Sequence, residues 1–221
     1  MQQRLILTVI ALLVLFPLCK AQNTLIRFGI KGGINYVKLS ESHSSTVPPD
    51  ANSWLTSYHA GVIIDLKMKE HIFLRTGLDW QGKGTKYENT LTKNGKAAPM
   101  YLELPLNLIL KKGAKHTDLY LGLGPYIAYG MGGKHRYAAL VTDGTVFSEK
   151  ITWSNEPPVT IQPGNGGYFK RVSWGANALC GIEFSGKIAL NLQYSYGLSN
   201  ARPLEEKYGQ RGLSAGIAVF L

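Results

Sequence analysis

The sequence predicts an all-β protein, a single eight-stranded antiparallel transmembrane β-barrel with short periplasmic turns and longer extracellular loops. Three observations predict it. An apolar leader opens the chain. Eight later segments alternate apolar residues with polar or small ones, the period of a strand with two different faces. The apolar faces carry Leu, Ile, Val and aromatic side chains in quantities that a water-facing surface does not tolerate, whereas the opposite faces are rich in Gly, Ala and Ser. Of 221 residues, 17% are charged and 45% hydrophobic, with 25 Gly and 12 Tyr, a balance that excludes a disordered chain. The length suits one domain of roughly 200 residues and excludes a large modular enzyme.

Residues 1–21 read as a secretory signal peptide and residues 22–221 as the barrel domain. Arg4 supplies the basic start, Leu5 to Leu18 an apolar run interrupted only by Thr8 and Pro17, and Cys19 and Ala21 the small residues for cleavage before Gln22. The run is shorter than the roughly 20 residues of a spanning helix, and Leu18 is too bulky for a good lipoprotein processing site at Cys19. Loss of the leader leaves Cys180 without an intrachain partner, so neither a disulfide framework nor Cys-rich metal chemistry is expected. It also lowers the formal charge from +10 to +8. The cations are scattered through turns and loops, and an exported chain rarely meets nucleic acid, so no nucleic-acid partner is expected.

The first segment sets Ile26, Phe28, Ile30, Ile34 and Tyr36 against Arg27, Gly29, Lys31, Gly33 and Asn35. The second sets Tyr58, Ala60, Val62, Ile64 and Leu66 against His59, Gly61, Ile63 and Asp65, and the third sets Ile72, Leu74, Leu78 and Trp80 against Arg75, Gly77, Asp79 and Gln81. In the fourth, Leu102, Leu104, Leu106, Leu108 and Leu110 oppose Tyr101, Glu103, Pro105, Asn107 and Ile109. The fifth opposes Leu119, Leu121, Leu123, Ile127 and Tyr129 to small residues joined by Tyr120 and Tyr126. The sixth, around 171–184, is the least regular. The seventh alternates from Ile188 to Leu198 without a fault, and the eighth sets Leu213, Ala215, Ile217, Val219 and Leu221 against Gly212, Ser214, Gly216 and Ala218.

Short links at 67–71, 111–117 and 185–186 alternate with longer connections, the arrangement of an antiparallel barrel with both termini on one side. Asn94-Gly95 and Asp143-Gly144 suit tight type I′ turns, so the third and fourth strands, and an extra pair around Tyr137 to Trp153, are expected to project beyond the membrane. Asn155 to Gly167 reads as an irregular loop.

A soluble carrier would turn the apolar faces inward, but eight strands enclose only enough room for side chains to fill, so the bulky faces are assigned to outer-membrane lipid. The polar faces then form a lumen in which Arg27, Lys31, Arg75 and Arg171 balance Asp65, Asp79, Glu103 and Glu183. Buried charges without partners cost several kcal/mol each, so a plug of ion pairs is expected, built around Lys31, Arg75, Asp79 and Glu103, while Arg27, Asp65, Arg171 and Glu183 lie nearer strand ends where solvent competes. Tyr36, Trp80, Tyr129, Trp174 and Tyr196 fall near strand ends on the outer face, as an aromatic girdle would. Trp54 and Trp153 sit farther out, as loop anchors.

Phe28-Gly-Ile-Lys-Gly-Gly-Ile-Asn-Tyr36, His59-Ala-Gly-Val62, Tyr101-Leu-Glu-Leu-Pro-Leu106, Leu123-Gly-Pro-Tyr126 and Tyr194-Ser-Tyr-Gly-Leu198 followed by Asn200 together resemble the PorT-like outer-membrane β-barrel family. The resemblance covers nearly all of the mature chain. It implies residence in the outer membrane of a Gram-negative cell and an accessory role in protein secretion or envelope assembly, with envelope or secretion-system proteins as partners.

Catalytic constellations are weak. His59 beside Ser57 is the one pairing of interest, without an Asp orienter at that level. His71 and His116 fall in turns, and His43 and His135 read as exposed loop residues. No HExxH, CxxC or clustered spacing supports a metal, and the Gly-rich stretches at 122–124 and 130–133 lack the helix and Lys that a phosphate loop needs. The expectation is a non-enzymatic barrel without cofactor or small-molecule ligand. A small-solute channel and a lipid-modifying enzyme are the competing readings.

Overall fold

The computed structural model describes residues 26–42, 52–89, 92–114, 116–139, 145–158, 167–203 and 207–221. The expected signal peptide, His43 and the Asp143-Gly144 turn lie outside them.

Eight long strands form the body: β1 (Ile26–Ser42), β2 (Leu55–Lys69), β3 (Ile72–Gly82), β5 (Thr92–Ala114), β6 (Thr117–Ala139), β10 (Val172–Phe184), β11 (Ile188–Gly197) and β12 (Lys207–Phe220). Each pairs antiparallel with its neighbour, and β1 pairs with β12 from Gly29↔Phe220 to Ser42↔Lys207, so the sheet closes on itself. Closure leaves no unpaired edge around the body, which is what allows strands to cross a bilayer.

Alternation decides the two faces. Ile30, Ile34, Leu110, Leu119, Leu121, Leu123, Leu192 and Ile217 are all exposed on the outside, whereas Ile63, Asp65, Asp79, Glu103, Asn107, Asn177 and Glu183 are buried inside. A depression of about 1510 Å³ lies on this apolar exterior, where the small residues Cys180, Gly181 and Ala215 lie between Leu121, Leu190, Leu192 and Ile217.

The three turn-linked pairs, β2/β3, β5/β6 and β10/β11, meet at the same end as both barrel termini. The last turn is tight: Ser185 and Gly186 have φ of 49° and 69°, and the Lys187 N–H donates to the Phe184 carbonyl at 2.9 Å. Glycine takes such a backbone without steric cost.

At the opposite end β4 (Thr85–Asn89) pairs with β5 and β7 (Val146–Lys150) pairs with β6, so a sheet in the order β4, β5, β6, β7 stands beyond the cylinder. The two-residue strands β8 (Thr152–Trp153) and β9 (Tyr168–Phe169) pair in parallel beside it. The hairpin turn is not at Asn94-Gly95 as its sequence suggests. Asn89 pairs with Thr92, and Asn94, with φ of 51°, sits at a register shift inside β5. An Asn that tolerates positive φ serves a bulge as well as a turn.

Candidate functional site

Among the described residues, buried side chains fill the interior in successive layers along the axis. At the short-turn end, Asp65 accepts from Arg75 Nε at 2.7 Å and Nη2 at 2.9 Å, from Lys111 Nζ at 3.2 Å and from Arg27 Nη2 at 3.4 Å. Glu183 accepts from Arg27 at 2.6 and 3.0 Å and from Lys111 at 2.7 Å. Three cations thus face two carboxylates. The surplus charge sits against aromatic faces: Arg27 over Phe220 at 4.2 Å, Arg75 over Tyr120 at 4.8 Å and Lys111 over Phe73 at 4.5 Å, contacts that gain strength when desolvated. Ile63, Ile109 and Leu179 pack with these rings as an apolar layer.

Farther up, Lys31 Nζ meets Asp79 at 2.6 Å and Lys83 Nζ meets Glu103 at 2.7 Å, with Asn177 donating to Glu103 at 3.2 Å. Beside them Asn35 donates to Gln81 at 2.8 Å and accepts from His59 Nδ1 at 2.7 Å. Gly33 and Gly216 make room for that imidazole, since a Cβ on either would lie 2.8 Å from it. Two cavities among these side chains, one lined by Lys31, Arg75 and Asn107 and one by Asn35, Lys83 and Tyr126, hold about 20 Å³ each, room for a single water.

A second core closes the loop end. Leu39, Tyr87, Ala97, Ile151, Phe169, Ala201 and Tyr208 are buried together, with Trp153 against them. Trp153 meets the Tyr101 ring edge-on at 5.4 Å over Gly130, whose absent side chain leaves space that a Cβ would contest at 2.3 Å. Arg202 lies over the rings of Tyr208, Tyr87 and Phe169 at 5.2, 5.6 and 5.8 Å.

His135 belongs to this core and is not an exposed loop residue. It is 1% exposed, 2.5 Å from the Tyr87 hydroxyl and stacked on Tyr137 at 4.7 Å. Burial, with the Arg202 charge second, lowers its imidazole from the ordinary 6.5 to about 4.

The structure brings Lys31 to Asp79, Arg75 to Asp65, and Arg27 to both Asp65 and Glu183. Glu103 meets Lys83, which lies in the connection between β3 and β4. Lys111, read as part of a turn, is a buried member of β5. Arg171 is not in the lumen: it is exposed and donates to the Tyr129 hydroxyl at 3.3 Å, because it sits at the mouth where water is available. Tyr36, Trp80, Tyr129, Trp174 and Tyr196 all face outward and are exposed. Trp54 stacks on Tyr36 at 4.8 Å, whereas Trp153 folds inward. Among the described residues no three His, Cys, Asp or Glu side chains are grouped to hold a metal ion.

A closed antiparallel cylinder with an aliphatic exterior, a filled polar interior, short turns at one end and long connections at the other is an outer-membrane β-barrel. The outer membrane protein beta-barrel domain family matches residues 20–202, and the chain belongs to that family and to the outer membrane. Similar solved structures include Ail, the attachment invasion locus protein of Yersinia pestis, 12% identical, covering 88% of this chain and 98% of that one with a TM-score of 0.42. The outer membrane protein OprG from Pseudomonas aeruginosa is 12% identical over 90% of this chain and 97% of that one, TM-score 0.45. Neisserial surface protein A is 14% identical over 87% and 96%, TM-score 0.43. The comparison with curated proteins gives no match.

Proposed function

We propose that the protein is a sealed, non-enzymatic barrel of the PorT-like kind, exported by a cleaved signal peptide, that serves as an accessory factor in protein secretion or envelope assembly through its outer sheet and rim. The observation that carries this reading is the filled lumen. Ion pairs at two levels, the Asn35–Gln81–His59 set and the upper aromatic core occupy the space a solute would need, with pockets of about 20 Å³ between them. A lumen so filled among the described residues leaves the exterior as the working surface. The outer sheet extends that surface, and among the described residues β7 pairs on one side only, an edge to which an extended segment of a partner adds by strand pairing.

The test is a photo-crosslinker at Ser148 of β7 in native membranes, with the captured proteins identified, alongside deletion of the protein. Capture of an envelope or secretion component, with loss of exported surface proteins on deletion, supports the reading. Intact secretion without capture overturns it. Large, steady single-channel currents in planar bilayers would establish a small-solute channel instead, and a lipid modification abolished by His59→Ala would establish an enzyme.

A further inference from the structure

The outer sheet carries a block of unneutralised cations on one face. Its register sets Lys86 opposite Lys96, Lys96 opposite Arg136, and Lys134 opposite Lys150. All five side chains are exposed, while Tyr87, Ala97, His135 and Tyr137, next to them in the chain, are buried. Alternation therefore places the five on the outer side of the sheet. Like charges directly opposite one another destabilise a sheet, and among the described residues none of the five forms an ion pair. The nearby acids do not relieve them. Glu88 accepts from the Asn94 backbone N–H at 3.4 Å, and Glu149 is turned to the inner side, where it accepts from the Tyr137 hydroxyl at 3.1 Å.

The location of the block selects its counter-charge. β5 and β6 present Leu102, Leu104, Ile127 and Tyr129 on their outward face lower down, and the cations continue that same face upward. Lys134 follows Tyr129 by five residues, roughly 16 Å along a strand at about 3.3 Å per residue, which places it above the aromatic level and beside the membrane. The rest of the rim repeats the motif of a cation over an aromatic ring: Arg211 over Tyr196 at 5.3 Å, Lys38 over Trp54 at 5.0 Å and Arg171 over Tyr129 at 5.6 Å.

We propose that this face binds the phosphate groups of the phosphorylated glycolipid of the surrounding outer leaflet. The acyl chains lie on the apolar belt, and the phosphates accept hydrogen bonds from Lys96, Lys134, Arg136 and their neighbours. A soluble polyanion would gain the second contact only, whereas a lipid gains both. The inference goes beyond the secretion reading, and its test measures lipid and not export.

Purified full-length barrel in zwitterionic micelles is titrated with diphosphorylated lipid A and the bound lipid is counted by native mass spectrometry. The triple variant K96Q/K134Q/R136Q is compared with K69Q/K112Q/K187Q, which removes equal charge from the short-turn end. Heat-modifiable gel mobility verifies that both are folded. The expected result is retention weakened on the order of 100-fold in the first triple, about fivefold per cation near an anionic surface, with the second triple unchanged and dephosphorylated lipid A held as weakly as by the first. Equal loss in both triples, no loss in the first, or equal binding without the phosphates overturns the proposal. Displacement of lipid A by soluble polyphosphate at matching phosphate concentration would overturn it as well, and would reassign the face to a soluble polyanion.

Discussion

Asp65 and Arg75 are directly opposed on β2 and β3 and joined by two parallel hydrogen bonds of 2.7 and 2.9 Å. This bidentate pair fixes the planar guanidinium edge-on and turns its face toward the Tyr120 ring, so one carboxylate positions the aromatic layer above it as well as the cations around it.

Asp65→Asn leaves Arg27, Arg75 and Lys111 facing Glu183 alone. Breaking a buried ionic cluster by removing one member costs about 3–5 kcal/mol. Urea unfolding of the barrel in lipid vesicles should show a loss of that order. A loss under about 1 kcal/mol would mean that water reaches the cluster and screens it.

The Lys83–Glu103 contact offers a sharper comparison. Glu103→Ala strands a buried ammonium and should again cost about 3–5 kcal/mol, while the double substitution K83M/E103M should lie within about 1–2 kcal/mol of the native protein, since apolar replacement of a whole pair is often neutral. A double-mutant cycle measures the coupling. Additive single effects would show that the two side chains act separately.

The exterior is tested by depth. Leu123→Arg places a charge midway along the apolar face of β6 and should cost about 2–4 kcal/mol, whereas Met131→Arg near the upper limit should cost about 0–1 kcal/mol. Unfolding free energies in bilayers report both, and equal costs would contradict the assignment of this face to lipid.

The outer core should weaken in acid. His135 has its imidazole depressed to about 4 in the folded protein against an ordinary 6.5, so the opened state binds more protons between those values. Protection is fully present above about pH 6.5 and is lost as pH falls toward 4, by ~3 kcal/mol at most. Amide hydrogen exchange in β6 beyond Gly133 should accelerate over that window, and His135→Phe should flatten the profile.

The alternation that places Leu102 to Leu110 outside and Glu103, Asn107 and Ile109 inside was legible because a strand's period admits no third arrangement. His135 was hidden by one extra residue. Tyr101 pairs with Gly130 but the next residue of β5, Met100, pairs with Gly132, so a bulge shifts the pattern by one and swings His135 from the lipid side to the interior. Lys83 and Lys111 were missed for another reason: Lys111 directly follows the last clear outward residue of its segment, with no sign in the sequence that β5 continues past it, and Lys83 lies in the two-residue connection between β3 and β4, whose inward course the sequence does not reveal. Arg171 misled because a cation at a mouth and a cation in a lumen have the same neighbours in sequence.

The short-turn cluster draws Arg27, Asp65, Arg75, Lys111 and Glu183 from β1, β2, β3, β5 and β10 respectively. Asp65 and Arg75 pair within the β2/β3 hairpin, but Glu183 of β10 reaches Arg27 of β1 and Lys111 of β5 only across the closed ring. A hairpin threading the hydrocarbon alone would drag naked charge with it, so biogenesis favours an assembly that curls at the surface and enters as a finished ring. Folding and translocation of the chain are on this account one event, timed by the seam between β1 and β12.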